Sequence, residues 1–202
     1  SQTKPVPDGM RVVRLNASPD AVSYLSVLFR PDLLREAIAL PFQGQSFFGK
    51  LHQLLFFRRK VQAAYEALCS EVLPSLTGEE IVIYSYWFYD AAMAGALLAK
   101  RLRAMGKRVH LLSRAHGFDA FPERSPYGYL PMRRFLLNHY DAVRPCSPSA
   151  ARAVKDAFPG QCGKVRTAFL GTADHGLPYG SRSPVFHVVT CSYLVPVKRI
   201  PL

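Results

Sequence analysis

The sequence predicts an α/β fold in which a Rossmann-like parallel sheet is flanked by helices. From residue 81 onward, short segments rich in β-branched and aromatic residues alternate with segments typical of helices. Such alternation indicates βαβ units, because parallel strands need helical crossovers between them. The composition agrees with a globular chain, since 49% of the residues are hydrophobic and 20% are charged.

The first 80 residues are predicted to be mostly helical. The segment MRVVRL, residues 10–15, predicts a short strand, and residues 16–40 predict helices interrupted by prolines. Apolar residues recur at helical spacing over residues 47–73, which predicts the longest helix. Its segment GKLHQLLFFRRK could lie on a membrane surface, although an amphipathic helix packed on the core is the favoured interpretation.

The alternating region begins with IVIYSYWF, residues 81–88, whose β-branched and aromatic content predicts a buried strand. Asp90 is expected to cap the following small-residue helix, and Gly106 is expected to end it. The remaining predicted elements are a strand at 108–113, a helix at 129–140, a strand at 141–147, a helix at 150–158 capped by Ser147 or Ser149, and strands at 164–171 and 185–192.

The net charge of +12 indicates an anionic partner, which could be a nucleic acid, a membrane surface or a phosphorylated substrate. Nucleic acid is disfavoured because the basic residues are spread along the chain without a recognised nucleic-acid-binding motif. No apolar run approaches the roughly 20 residues that span a bilayer, and the first residues carry no apolar signal region. We therefore expect a cytoplasmic protein that could lie peripherally on the inner face of the plasma membrane.

The four cysteines are widely spaced, with neither a Cys-x-x-Cys pair nor a histidine at zinc-site spacing. This spacing predicts free thiols in a reducing compartment and no metal site. A serine or cysteine hydrolase is disfavoured because no G-x-S-x-G segment occurs, and nucleotide hydrolysis is disfavoured because no Walker-type loop occurs.

Polar side chains are grouped at the ends of three predicted strands. The groups are Ser85, Tyr86 and Trp87; Arg114, His116 and Asp119; and Gly171, Thr172 and Asp174. In an open α/β sheet, ligands bind outside the carboxyl ends of the strands. The sequence therefore predicts a polar cleft at this edge.

His116 is the candidate on which the chemistry of this cleft depends, because imidazole exchanges a proton near neutral pH or hydrogen-bonds a hydroxyl. Asp119 could orient the imidazole, and it could equally cap the next turn. Arg114 and Arg133 could bind phosphate or carboxylate with their planar guanidinium groups. Gly117 would let the chain turn close to a ligand.

Several segments, in this order and with fitting gaps, resemble glycosyltransferase family 4, in particular the bacterial enzymes of exopolysaccharide and lipopolysaccharide assembly. They are IYSYWFYDAA, SRAHGFDAFPER, GYLPMRR, DAVRPCSPSAARAV, FLGTADHG and CSYLVPVKRI. The resemblance covers roughly residues 80–202. It implies the GT-B architecture, in which an amino-terminal acceptor domain and a carboxy-terminal donor domain face each other across a cleft.

The implied reaction is a metal-free, retaining transfer of a sugar of the hexosyl type from a nucleotide-sugar donor. The acceptor would be a glycan or a lipid-linked glycan in cell-surface polysaccharide biosynthesis, with the nucleotide sugar as co-substrate and no further cofactor. His116 matches the family's histidine at the cleft, which contacts the transferred sugar and the acceptor. Gly171 matches the small residue beside the donor phosphates, with Thr172 next to it, and Lys198 matches the basic residue that neutralises the donor diphosphate. On the acceptor side we expect Trp87, Arg114, Gly117, Asp119 and Arg133.

The sequence departs from the family pattern at both ends, because the usual first strands and the acidic E-x7-E element are not found. This predicts an acceptor-side domain over residues 1–175, an interdomain linker over 176–184 and the first donor-domain strand over 185–202. We expect such a fragment to be inactive alone. The alternative is a non-catalytic basic domain that binds an anionic membrane surface or nucleic acid.

Overall fold

Three parallel strands and the helices between them form the centre of the fold. The strands β1 (Glu80–Ser85), β2 (Arg108–Ala115) and β3 (Ala142–Pro145) lie side by side in the order β1-β2-β3. The computed structural model describes residues 8–42, 44, 46–171, 176 and 184–185. The predicted α/β fold, with a parallel sheet flanked by helices and Rossmann-like in kind, is confirmed by these strands.

The α-helices of the described residues are α1 (Tyr24–Leu28), α2 (Pro31–Ala39), α3 (Phe47–Ala67), α4 (Asp90–Ala104), α5 (Arg133–His139) and α6 (Pro148–Ala157). Helix α4 connects β1 to β2 and contacts both strands, while α3 packs on α4 and α6 packs on β3. The chain divides into a unit over Ser1–Leu170 and a second unit over Gly171–Leu202, and all these helices and strands lie in the first. No helix in the described residues is long and apolar enough to cross a membrane.

The register of the sheet brings the loops after β1 and β2 to one edge. Ser85, the last residue of β1, pairs with Ser113 of β2, and Ala115, the last residue of β2, pairs with Pro145 of β3. The loops that follow the three strands therefore begin close together in space along this edge. This is the carboxyl edge at which open α/β sheets bind ligands.

Small residues let α4 lie close to the sheet. A methyl group placed on Gly95 would come within 3.1 Å of the Ile83 Cγ2 atom, which is tighter than ordinary van der Waals contact. The predicted end of α4 is confirmed, because Gly106 adopts a φ of +82° directly after it. The predicted cap is wrong: Tyr89 occupies the cap position without a side-chain hydrogen bond, and Asp90 is the first helical residue, whose Oδ1 atom accepts a 2.9 Å hydrogen bond from the Ala91 amide.

The cap of α6 is Ser147, one of the two serines predicted for this role. The Ser147 Oγ atom accepts a hydrogen bond of 3.2 Å from the Ala150 amide. Pro148 follows as the first helical residue, where its missing N–H group costs no hydrogen bond. The local sequence was sufficient to predict this helix start.

The predicted strand at residues 10–15 is wrong. Residues 10–18 lie outside any helix or strand and are mostly exposed. An isolated extended segment leaves its N–H and C=O groups unpaired, so β-branched residues alone do not make a strand where no neighbour is available.

The predicted strand at 164–171 is wrong as well, since the segment forms only an isolated bridge between Val165 and Val143. Two further hydrogen bonds hold it beside β3, from the Arg166 amide to Val143 and from the Ala168 amide to Pro145. Pro145 has no N–H group to return, so a full ladder cannot form at this end of β3. The predicted strand at 185–192 lies outside the described residues, except for Val185.

Two predicted elements are shorter than expected. The strand predicted over 81–88 ends at Ser85, and residues 86–89 form the loop before α4. The helix predicted over 129–140 begins only at Arg133, because Pro131 and the left-handed Met132, with a φ of +58°, interrupt it. Both differences lengthen the loops at the carboxyl edge of the sheet.

Candidate functional site

Four ring-bearing residues from two loops meet at the carboxyl edge of the sheet. Tyr86 and Trp87 follow β1, and His116 and Phe118 follow β2. The His116 ring lies 4.5 Å from the Tyr86 ring and 4.4 Å from the Trp87 ring, and the Phe118 ring lies 5.2 Å from Trp87. We call this group the aromatic cluster. Tyr86, Trp87 and Phe118 are 39–48% exposed, so the cluster presents aromatic faces to solvent.

The imidazole of His116 is covered by its neighbours. Its Nδ1 and Nε2 atoms are shielded from solvent and have no hydrogen-bond partner among the described residues. Burial lowers the pKa of His116 below its ordinary value of 6.5; the negative charge of Asp119 opposes this change, and the positive charge of Arg114 adds to it. The ring is therefore neutral at pH 7 and has one unused donor and one unused acceptor.

Asp119 holds the two loops together through backbone hydrogen bonds. Its Oδ1 atom accepts from the His116 amide at 2.7 Å, and its Oδ2 atom accepts from the Phe88 amide at 2.9 Å. The residue is completely buried. Of the two roles left open for Asp119, the structure places it as the cap of the turn after β2, with its carboxylate on the backbone of His116 rather than on the ring.

Arg133 continues this bracing from the start of α5. Its guanidinium donates to the Phe88 carbonyl at 2.9 Å and to the Asp119 carbonyl at 2.5 Å, and it lies 4.6 Å from the centre of the Phe88 ring. Burial lowers the pKa of Arg133 to about 10, so the side chain remains a cation at pH 7. With only 6% of its surface exposed, Arg133 positions the loops and does not face the solvent side of the cluster.

Arg114 and Gly117 lie near this edge without joining the aromatic cluster. The Arg114 guanidinium donates to the Ala168 carbonyl, while its Nε atom is buried and unpartnered among the described residues. Gly117 does not adopt a left-handed φ, and a methyl group on it would lie 3.4 Å from Arg124 Nη1, so a small side chain would fit. Gly171 is exposed. Thr172 and Lys198 lie outside the described residues.

Phe118 and Phe88 were not predicted from the sequence as site residues. Tyr86 was named in the polar group after the first strand but not among the expected acceptor-side residues. The signal for Phe118 was its place two residues after His116 in the loop that follows β2. Ser85, which was grouped with the cleft, is instead buried, with its Oγ atom 2.8 Å from Ser113 Oγ and 3.1 Å from the Tyr140 hydroxyl. In the described residues, no group of three or more His, Cys, Asp or Glu side chains could hold a metal ion.

The covering of His116 predicts how the protein responds to acid. Below pH 6.5 the unfolded chain takes up a proton that the folded His116 resists, so the free energy of unfolding should rise with pH between the lowered pKa and 6.5.

Truncating Trp87 to alanine should let water reach the ring and raise the pKa of His116 towards its ordinary value. Titration of the His116 ring protons by NMR gives the pKa of His116 in the unchanged protein and in Trp87→Ala. Tyr84→Ala, at an exposed position earlier on β1, is the control; an unchanged midpoint in Trp87→Ala would contradict the prediction.

Comparisons of this chain with known protein families, with curated protein sequences and with solved structures found no match.

Proposed function

We propose that this chain is the acceptor side of a retaining glycosyltransferase of the GT-B architecture, which moves a sugar from a nucleotide sugar to a glycan or lipid-linked acceptor. The single observation that supports this proposal best is a histidine whose two ring nitrogens have no partner among the described residues, framed by exposed aromatic faces at the carboxyl edge of a parallel sheet. The sequence resemblance to glycosyltransferase family 4 supports the same assignment.

The chemistry of the cluster suits a sugar. A sugar ring offers hydroxyl groups at its rim and C–H groups on its faces, and aromatic faces carry the partial negative charge that attracts C–H groups. Trp87 and Phe118 supply such faces, and His116 can exchange hydrogen bonds with a hydroxyl once Tyr86 or Trp87 turns aside. Asp119 and Arg133 then act as positioning residues, because they hold the backbone of both loops.

Sugar binding can be read directly, because Trp87 is the only tryptophan of the chain. We expect a saturable change in its fluorescence on titration with bacterial surface oligosaccharides. His116→Ala should weaken this binding about ten-fold, which corresponds to the loss of hydrogen bonds to a buried neutral group. His110→Ala, at an exposed histidine near the other end of β2, is the matched control. Absence of a saturable change, or equal affinities of the two variants, would contradict the proposal.

Turnover is measured separately with a panel of nucleotide sugars and a lipid-linked acceptor. In the transfer, the bond between the anomeric carbon and the donor phosphate oxygen breaks, the nucleotide leaves with the electron pair, a bond to the acceptor oxygen forms, and the proton of the acceptor hydroxyl passes to the departing phosphate. Transfer that is abolished in His116→Ala would support the transferase assignment while contradicting the expectation of an inactive chain.

A non-catalytic role at an anionic membrane surface is the second candidate, and exposed apolar side chains favour it. Large hydrophobic residues of the amino-terminal helices are 69–86% exposed, namely Leu25, Phe29, Ile38, Phe42 and Phe48. Arg30 and Arg35 lie among them in the sequence, as expected of an interfacial segment on anionic lipid. Co-sedimentation with phosphatidylglycerol vesicles that is lost in Phe29→Ser/Phe42→Ser and retained in His116→Ala would support this role as separate from sugar binding.

A further inference from the structure

A groove of about 330 Å³ lies between the start of α2, helix α3 and the second half of α4. Helix α4 begins at the carboxyl edge of the sheet and runs back to the start of β2. Its second half, which lines this groove, therefore lies at the end of the helix away from the aromatic cluster. Four cations line the groove, together with Gln62 and Tyr65, and no carboxylate lines it. We call it the basic groove; its cations are Arg30, Arg58, Lys100 and Arg101.

One of the cations is fixed in place. Arg58 is only 2% exposed, and its Nε atom donates to Asp32 Oδ2 at 3.2 Å. Its Nη1 atom donates to the side-chain oxygen Oε1 of Gln62 at 3.4 Å, and the Gln62 Nε2 atom donates in turn to Glu66 Oε1 at 2.7 Å. Burial lowers the pKa of Arg58, with Asp32 opposing the change, but a guanidinium remains charged in a protein. The groove therefore contains a guanidinium whose orientation is set before any ligand arrives.

The other three cations have no acidic partner. Arg30, Lys100 and Arg101 are exposed and form no ion pair within the part of the chain that the structure describes. Other cations of the same helices are paired, since Arg59, Lys60 and Arg103 lie within 4 Å of Asp20, Asp90 and Asp141. Lys100 and Arg101 also lie near the end of α4, where the helix dipole favours positive charge. That effect does not account for Arg30 and Arg58, which come from other elements.

We propose that the basic groove binds the phosphate groups of a phosphorylated ligand. Arg58 is paired with Asp32, but Arg30, Lys100 and Arg101 have no acidic partner among the described residues, so their repulsion is relieved when a polyanion binds. Each of the three guanidinium groups can match two phosphate oxygens at once, and the ammonium of Lys100 adds a fourth donor group without a fixed direction. The tyrosine hydroxyl of Tyr65 can add a neutral donor. This site does not depend on the proposed sugar-binding site.

Pyrophosphate is the probe, and isothermal titration calorimetry at low ionic strength gives its affinity. We expect Lys100→Gln/Arg101→Gln to weaken binding at least about ten-fold, as does the loss of charge-assisted hydrogen bonds elsewhere. Arg30→Gln tests the opposite wall of the groove by a single exposed substitution. Arg152→Gln/Lys155→Gln removes the same charge from α6 and is the matched control, for which we expect a change of less than about two-fold.

A second arm separates a dissolved ligand from a lipid headgroup. Vesicles that contain phosphatidic acid are compared with vesicles of phosphatidylcholine alone. Pyrophosphate binding lost in the groove variants supports a soluble phosphorylated ligand, and binding to phosphatidic acid alone, lost in the same variants, supports a headgroup. Binding of neither probe overturns the proposal, as does equal weakening in the groove variants and the α6 control.

Discussion

Replacing Arg133 by methionine is expected to lower the free energy of unfolding by about 3–5 kcal/mol, because two buried carbonyl groups each lose a charged donor, at about 1–3 kcal/mol per unsatisfied group. Methionine fills a similar volume but leaves the Phe88 and Asp119 carbonyls without their donors. It also leaves the Asp119 carboxylate completely buried without its nearby positive charge. Both costs fall on groups that cannot turn to water, so relaxation recovers little of the loss.

Urea unfolding followed by circular dichroism gives the difference in free energy for this variant. Arg134→Met is the matched control, because Arg134 is the next residue of α5 and is exposed; we expect it to change stability by less than about 0.5 kcal/mol. If Arg133→Met does not fold, Arg133→Lys keeps the charge while removing the planar geometry. Equal stabilities of the Arg133 and Arg134 variants would show that the buried guanidinium does not brace the loops.

Local signals were sufficient for much of the fold. The alternation of strand-like and helix-like segments predicted the parallel sheet, Gly106 predicted the end of α4, and Ser147 was one of two serines predicted to cap α6. Each of these features depends on residues close together in the chain, such as a cap and the amide three positions later. The failed strand at 10–15 shows the limit, because a strand exists only when another segment offers it hydrogen bonds.

The candidate site was predictable in place but not in the roles of its residues. The carboxyl edge of the sheet follows from topology, and His116 is at this edge with both nitrogens unused. Asp119 and Arg133 looked like ligand-binding groups because both are polar and both fall in or next to predicted loops. Arg133 points into the protein because its partners lie 14 and 45 residues away in the chain, which no local pattern contains. For Asp119 the cap on the His116 amide is local and was one of the two predicted roles, but its contact with Phe88 spans 31 residues.

Replacing Asp119 by alanine is the second large change, with an expected loss of about 3–5 kcal/mol in the free energy of unfolding. The substitution leaves the buried amides of His116 and Phe88 without their acceptor and removes the negative charge nearest to the buried cation Arg133. Asp119→Asn keeps one acceptor oxygen and should lose about half as much. Asp156→Ala, at an exposed position of α6, is the control.

The two bracing residues should not act independently. The Asp119 carboxylate accepts from the Phe88 and His116 amides, and Arg133 donates to the Phe88 and Asp119 carbonyls, so both side chains hold the same backbone, and once one is lost the other has less order left to stabilise. The double variant Asp119→Ala/Arg133→Met should therefore lose at least about 1 kcal/mol less than the sum of the single variants. Since both loops carry the aromatic cluster, the fluorescence of Trp87 in the folded double variant should shift towards that of a water-exposed indole. Strict additivity with an unshifted Trp87 spectrum would mean that the loops are held by their own turns, and that Asp119 and Arg133 are only separate buried polar residues.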